Sequence, residues 1–347
     1  VGYFRATFAL VLIGVITFVN LHMMQPLLPL FAEEFDVTPK TTGLLLSLPM
    51  MAMVVSLLAS GPLSDLAGRK IMMSIGLLMV FVTTIYPIFV SSFSGLLAAR
   101  ILQGLFLGAL PPAVMAYLNE EYDKHHMAGV MAIYIAGTAL GGMSGRIVSG
   151  FIANTLSWQG VFLLFSIINF LVWASFLVML PPSRHFVKKK QNVREEMGWM
   201  RRHITNPLLT YDFVIGAVLQ FSFYGIFTFL TFRLSGPPYD LSVAQIGYFY
   251  LVYLTGILFS PYFGTWVRKW GLLNLFRIGA GLSITGLIIS GFQGIPWIAI
   301  GLLLFAAGHF INHSAGSSWV GSKVKEGRGA ANSLYLVSYY TGGSLGA

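Results

Sequence analysis

The sequence predicts an all-α polytopic membrane protein built as two six-helix bundles related by a parallel repeat. Composition is the first observation behind that prediction. Of 347 residues 56% are hydrophobic and 10% charged, which leaves too little polar surface for a chain of this size in water. The second is a succession of apolar runs of spanning length, and the third is a set of residues that recurs 201 positions further on. A chain with so many spans is neither a single-anchor receptor nor a soluble enzyme, and the absence of cysteine excludes disulfides and thiolate metal sites.

The first run, 6–30, is too long for the core of a signal peptide and lacks a small-residue cleavage site. Further runs follow at 41–60, 71–90, 93–117, 127–154, 158–180, 207–232, 243–266, 272–292, 296–316 and 329–347, each bounded by polar or Gly/Pro residues. With the N-terminus inside, Arg5, Arg69, Lys70, Lys124, the seven Lys/Arg of 184–202, Arg268, Lys269, Arg277, Lys323, Lys325 and Arg328 fall on one face, 17 of the 21 basic residues. That asymmetry marks the cytoplasmic side. The net charge of +9 therefore reports topology and anionic headgroups, and no nucleic-acid partner is expected.

The segment PPSRHFVKKKQNVREEMGWMRRH at 181–203 is basic and poor in aliphatic residues. It divides the chain into a first bundle at 1–180, a cytoplasmic central loop at 181–205, whose VREEMGWMRRH part is expected as an interfacial helix with Trp199 at the membrane surface, and a second bundle at 206–347. Gly141, Gly142 and Gly145 recur as Gly342, Gly343 and Gly346, and Tyr134 recurs as Tyr335, all 201 residues apart. Gly61 and Gly68 recur as Gly264 and Gly271, 203 apart. Six spans per repeat give both halves the same orientation, as in transporters that rock about a central site. By the same offset span six should recur near residue 381, so a twelfth helix is expected beyond the given chain, which is then a piece of a longer protein.

The turn between spans two and three reads GPLSDLAGRK at 61–70. Through Gly61, Leu63, Asp65, Gly68, Arg69 and Lys70 it resembles the signature loop of the major facilitator superfamily. Glycines there permit a tight turn, Asp65 suits a helix N-terminus such as that of span eleven at 326–333, and Arg69 can pair with Glu120, Glu121 or Asp123. The resemblance implies a cytoplasmic gate that holds the outward-open state. Span four carries ARILQGLFLGA, with Arg100, Gln103, Gly104 and Gly108 matching the family's second motif. Counted inward, Arg100 lies about 10 Å below the outer edge. The resemblance implies proton coupling or substrate charge for it, and snorkelling to the outer headgroups is the alternative.

Span five places Gly137, Gly141, Gly145 and Ser149 on one stripe, with Gly142 and Arg146 beside it. Gly256, Ser260 and Gly264 repeat that spacing in span eight, so the two helices are expected to pack on each other. The segment resembles the motif of the drug:proton antiporter branch, although Gly142 replaces the expected proline and Arg146 a glycine. Polar residues within spans are expected to face a cavity or to bury a pair: Asn20, His22, Gln25, Gln220, His309, Asn312 and His313, with Tyr224, Phe223, Phe227 and Tyr253 as aromatic walls. His309 and His313 could titrate, donate to substrate or bond another helix. They lack a third ligand, so neither metal nor cofactor is expected. Asp212 lies near the cytoplasmic start of span seven, where a helix-end role is favoured over proton carriage.

The resemblance thus implies a major facilitator fold, no enzymatic activity, and a monomer in a bacterial inner membrane that exchanges a small molecule for protons by alternating access. Because the deep ionisable groups are Arg100, Arg146 and histidines, the substrate is expected to be anionic or neutral, a drug or other small organic compound. An uptake symporter or uniporter, a lipid flippase and a non-transporting sensor are the alternatives.

Overall fold

The computed structural model describes residues 2–183, 193–259, 262–324 and 326–347. Their apolar runs form helices α1 (Gly2–His22), α2 (Leu28–Glu34), α3 (Pro39–Ala67), α4 (Arg69–Ile85), α5 (Phe93–Glu121), α6 (Lys124–Thr155) and α7 (Trp158–Met179). There follow α8 (Val193–Ile204), α9 (Pro207–Ser235), α10 (Val243–Tyr248), α11 (Leu254–Phe259), α12 (Phe263–Trp270), α13 (Leu272–Ser290), α14 (Ile295–Lys323) and α15 (Arg328–Gly346). Hydroxyl caps start several of them: Thr38, Ser92 and Ser157 accept from the backbone N–H groups of Thr41, Gly95 and Gly160.

Among the described residues nine helices are long and apolar enough to cross a membrane, and the bent pair Val243–Phe259 and Phe263–Trp270, turned by 64°, makes ten. The eleventh predicted span is helix α15, which is too rich in Asn332, Ser333, Ser338, Thr341 and Ser344 to join that set. The predicted eighth span is broken, with a 3-10 turn at Phe249–Tyr253 between α10 and α11. Ser260 of its expected small-residue stripe lies outside the described residues.

Two compact units result, one of Val1–Asn192, Thr228–Gly247 and Ala347, the other of Val193–Phe227 and Tyr248–Gly346. The first takes in a piece beyond the central loop because Gln25 bonds Thr228, Gly150 meets the Val243 backbone, and Gly247 approaches the Arg146 carbonyl. Within this unit α1 packs on α6: Gly14 faces the Tyr134 ring, Gly141 the Val15 backbone and Gly145 the Val19 backbone. In the second unit α9 and α15 repeat the arrangement, with Gly216 at the Tyr335 ring, Gly342 at the Ala217 backbone and Gly346 at the Phe221 backbone. The residues that recur in sequence also recur as packing.

The small-residue stripe of span five therefore lies against span one. Of its expected partner, span eight, Val243 meets Gly150 and Gly247 approaches the Arg146 carbonyl, while Gly256 lies under the Phe310 ring of α14 and Gly264 has open space where a Cβ would stand. Gly104 and Gly108 seat α5 on the Pro49 and Met53 backbone of α3. In the second unit α13 lies on α14 through Gly279, Gly286, Gly301 and Gly308, a close approach that small residues permit.

The turn after span two is shorter than its sequence suggests. Helix α3 continues to Ala67, and Gly68 alone reverses the chain at φ 94°, ψ 145°. Gly271, its copy, does the same between α12 and α13 at φ 75°, ψ 156°. A side chain at either position would be strained.

Candidate functional site

In the first unit the site is organised by the interruption of α1. Pro26 and Pro29 lack N–H groups, so the helix ends at His22 and resumes as α2 after a 3-10 turn at Gln25–Leu27. The last turn of α1 is held by Arg100, whose Nη1 donates to Asn20 O at 2.8 Å and whose Nη2 donates to Leu21 O at 3.2 Å. Nη1 also donates to Gln103 Oε1. A guanidinium fork at a helix C-terminus satisfies carbonyls and opposes the negative end of the dipole. Arg100 is 1% exposed, so its charge is spent on the protein and not on the outer headgroups.

Around it lies an amide network. Asn20 and Asn169 exchange hydrogen bonds at 2.9 and 3.1 Å. Thr84 donates to Asn20 Oδ1 at 3.0 Å, and Gln103 Nε2 donates to Thr84 Oγ1 at 2.7 Å. Four helices, α1, α4, α5 and α7, meet there. Thr84 and Asn169 escaped the sequence reading, although an asparagine in so apolar a run as 158–179 already demands a buried partner.

On the other side of the break, Arg146 from α6 donates through Nε to Gln25 Oε1 at 2.7 Å and through Nη1 to the Gly142 carbonyl at 2.7 Å. Gln25 passes the link on from Nε2 to Thr228 Oγ1 at 3.3 Å. His22 donates from Nδ1 to Phe18 O at 2.8 Å and stacks on the Phe18 ring. A Cβ at Gly142 would lie 3.5 Å from Arg146 Nη1 and 3.6 Å from His22 Nδ1, so the residue that replaces the motif's proline leaves room beside both cationic-type side chains.

The second unit gathers Tyr224, His309 and His313 in an aromatic cluster. The His309 ring lies 4.2 Å from Phe223, and the His313 ring 4.2 Å from Tyr339. His309 Nε2 pairs with Tyr339 Oη at 3.2 Å and His313 Nδ1 with Tyr335 Oη at 3.1 Å. Of the three roles open to these histidines, bonds from α14 to α15 are present. Asn312 departs from its expected place in a cavity: it faces α13, with its amide oriented so that nitrogen donates to Phe276 O at 2.9 Å and oxygen accepts from Ala280 N at 3.1 Å. Glycine at 279 makes room for it. Asp212, 7% exposed, lies against Gly316 near the start of α9.

At the signature loop Arg69 grips Glu120 bidentately, Nη2 to Oε1 at 2.7 Å and Nε to both carboxylate oxygens at 3.2 Å, and donates to Ser64 at 3.0 Å. Lys70 donates to the Leu177 and Leu180 carbonyls at 3.0 and 2.5 Å. Asp123 pairs with His126 at 2.9 Å instead of with Arg69. Gly61 and Asp65 lie outside the described side chains. Among the described residues no group of three potential ligands could hold a metal. Trp199 and His203 of α8 pack on Gly327, φ 62°, ahead of α15.

Two units with repeated helix packing, polar clusters deep in apolar spans and a charged turn define a polytopic membrane transporter. The sequence profile of the Major Facilitator Superfamily matches residues 10–347, and the chain belongs to that family, a family of transporters and not of enzymes. It is 36% identical over 99% of its length to the inner membrane transport protein YnfM of Escherichia coli, covering 82% of that protein. It is 35% identical over 98% of its length to the uncharacterized MFS-type transporter YybF of Bacillus subtilis, covering 84% of it. A bacterial homologue of the human lysosomal transporter Spinster, in an inward-facing, unoccupied crystal structure, superposes with a TM-score of 0.81 at 17% identity, over 98% of this chain and 80% of that one.

Proposed function

We propose that this protein is a proton-coupled exporter of a small organic anion or neutral compound, working by alternating access in the inner membrane with its N-terminus in the cytoplasm. The observation that carries the reading is the charge of the buried groups. Arg100 and Arg146 are buried within the first unit's spans, whereas Asp212 is the sole buried carboxylate among the described residues. A lipophilic cation would meet no counter-charge beside Arg146, while an anion or a hydrogen-bond acceptor would. Efflux rests on the resemblance of span five to the drug:proton antiporter motif, and gating on the Arg69–Glu120 pair beside the Gly68 turn.

The test uses protein in liposomes with a trapped pH dye and an imposed proton gradient. Anionic, neutral and cationic organic compounds are added in turn to wild type and to Arg146→Gln. The expected outcome is proton movement evoked by an anionic or neutral compound and weakened in the variant. A lipophilic cation as the best exported compound, unaffected by Arg146→Gln, would overturn the charge argument. Substrate flux without proton movement would overturn antiport.

A further inference from the structure

We infer that the exchanged protons travel through the second unit, along a buried relay formed by Asp212, Tyr335 and His313, beside which Tyr339 and His309 form a second hydrogen-bonded pair. The inference rests on the antiport reading above and assigns residues to it. Three helices contribute: Asp212 from α9, the histidines from α14 and the tyrosines from α15. The order along the relay follows from geometry. His313 Nδ1 lies 3.1 Å from Tyr335 Oη, which also donates to the His313 carbonyl at 3.3 Å, and His309 Nε2 lies 3.2 Å from Tyr339 Oη. The two pairs pack on each other, His313 on Tyr339 at 4.2 Å, a contact between ring faces that carries no proton.

Position 316 connects this chain to the carboxylate. A Cβ there would lie 3.0 Å from Tyr335 Oη and 3.3 Å from Asp212 Oδ1. Because the residue is glycine, the phenol and the carboxylate both border a position that no side chain fills, and the proposed relay links them through a water there. Asp212 Oδ2 is buried with no hydrogen-bond partner among the described residues, which is a costly state for a carboxylate unless it takes up a proton. A crevice of about 420 Å³ lined by Tyr211, Asp212, Gly316 and Trp319 reaches the group.

Asp212 stands five residues after Pro207, in the first turns of α9, whereas His313 stands near the middle of α14. The relay therefore runs from near one membrane face toward the middle. Transfer out of the bundle balances without net charge. His313 imidazolium gives its Nδ1 proton to Tyr335 Oη, the Tyr335 hydroxyl turns from the His313 carbonyl and passes its own proton through the proposed water to Asp212, and a neutral imidazole, a neutral phenol and a carboxylic acid remain. The other titratable groups near these side chains are Tyr224, Tyr253 and Tyr340, around Tyr339, and Tyr211, which lines the crevice beside Asp212. All are phenols, and among the described residues of this unit no lysine, arginine or second carboxylate is buried with them.

The test compares wild type with Asp212→Asn, His313→Gln, Gly316→Ala and Tyr335→Phe in the liposome assay, using the compound that evokes proton movement in wild type. Relay variants should lose proton-driven flux by about 10²-fold yet keep exchange of labelled for unlabelled compound at zero gradient. Tyr335→Phe removes one hydroxyl and guards against misfolding as the explanation. Proton-driven flux that survives in Asp212→Asn and Tyr335→Phe would overturn the relay and leave antiport standing. Wild type that exchanges compound but moves no protons would overturn both. A second readout uses the proton alone: pH-titrated infrared difference spectra of the reconstituted protein should contain a carboxylic-acid band that is lost in Asp212→Asn and whose midpoint moves by about one pH unit in His313→Gln. An unmoved midpoint would show that the two groups are uncoupled.

Discussion

The two units share a helix-packing scheme and differ in what they bury at its centre. Glycines at 141 and 145 seat α6 on α1, as those at 342 and 346 seat α15 on α9. Where the first unit has His22 and Gln25, the second, 202 residues later, has Tyr224 and Phe227. The first core is amides and guanidinium groups joined by direct hydrogen bonds. The second is stacked aromatic rings with two imidazoles bonded to phenols. Duplicated backbones thus carry different chemistry: guanidinium and amide groups in the first unit, imidazoles and phenols in the second.

Breaking the first core should have the largest effect. Arg100→Ala leaves the Asn20 and Leu21 carbonyls and the Gln103 amide oxygen without this donor, each unsatisfied group costing about 1 to 3 kcal/mol, measurable as reduced thermal stability in detergent. Arg100→Lys should rescue only part of it, because an ammonium lacks the two-pronged fork. A full rescue by lysine would mean that charge alone, without capping geometry, is what α1 needs.

The shared packing can be tested next. Gly141→Ala and Gly342→Ala each drive a methyl into a facing backbone, and each should cost about 1 to 3 kcal/mol by the same thermal measurement. Similar losses would sharpen the equivalence of the two units; a loss at 141 alone would break it. Asn169→Leu opens the amide network at one node and should cost about 1 to 3 kcal/mol, whereas Ser222, which stands where Asn20 would recur, bonds only its own helix at Val218 O, so Ser222→Ala should change stability by less than about 0.5 kcal/mol.

A small stability effect is expected at the signature loop as well. Glu120 is partly exposed, with 24% of its side chain accessible, so Glu120→Gln should cost about 1 kcal/mol or less while altering the transport rate. An unchanged rate would remove the Arg69–Glu120 pair from the gate.

Much of the architecture was legible because its causes are local. Hydropathy marks spans wherever a helix must satisfy its own backbone in lipid, and the 201-residue echo of Gly141, Gly142, Gly145 and Tyr134 located the duplication. The site was legible only as a list of polar residues in apolar runs. Arg100 drew attention by its cost, but no spacing reveals that its fork would close the end of α1. Thr84 and Asn169 come from different helices and mean nothing until those helices meet. Asn312 shares a helix with His309 and His313, yet its position on the α13 side removes it from their cluster.

Sequence alone determined that the chain is a polytopic membrane protein of duplicated design, that the chain turns within 61–70 and which residues are too polar to face lipid. Those properties depend on composition, periodicity and the freedom of individual glycines. Tertiary structure decided that Arg69 pairs with Glu120 and leaves Asp123 to His126, that span five rests on span one, and that Asp212 and Tyr335 both border Gly316. Such contacts depend on how helices distant in sequence rotate and approach, and helix packing is settled by the fit of many side chains at once.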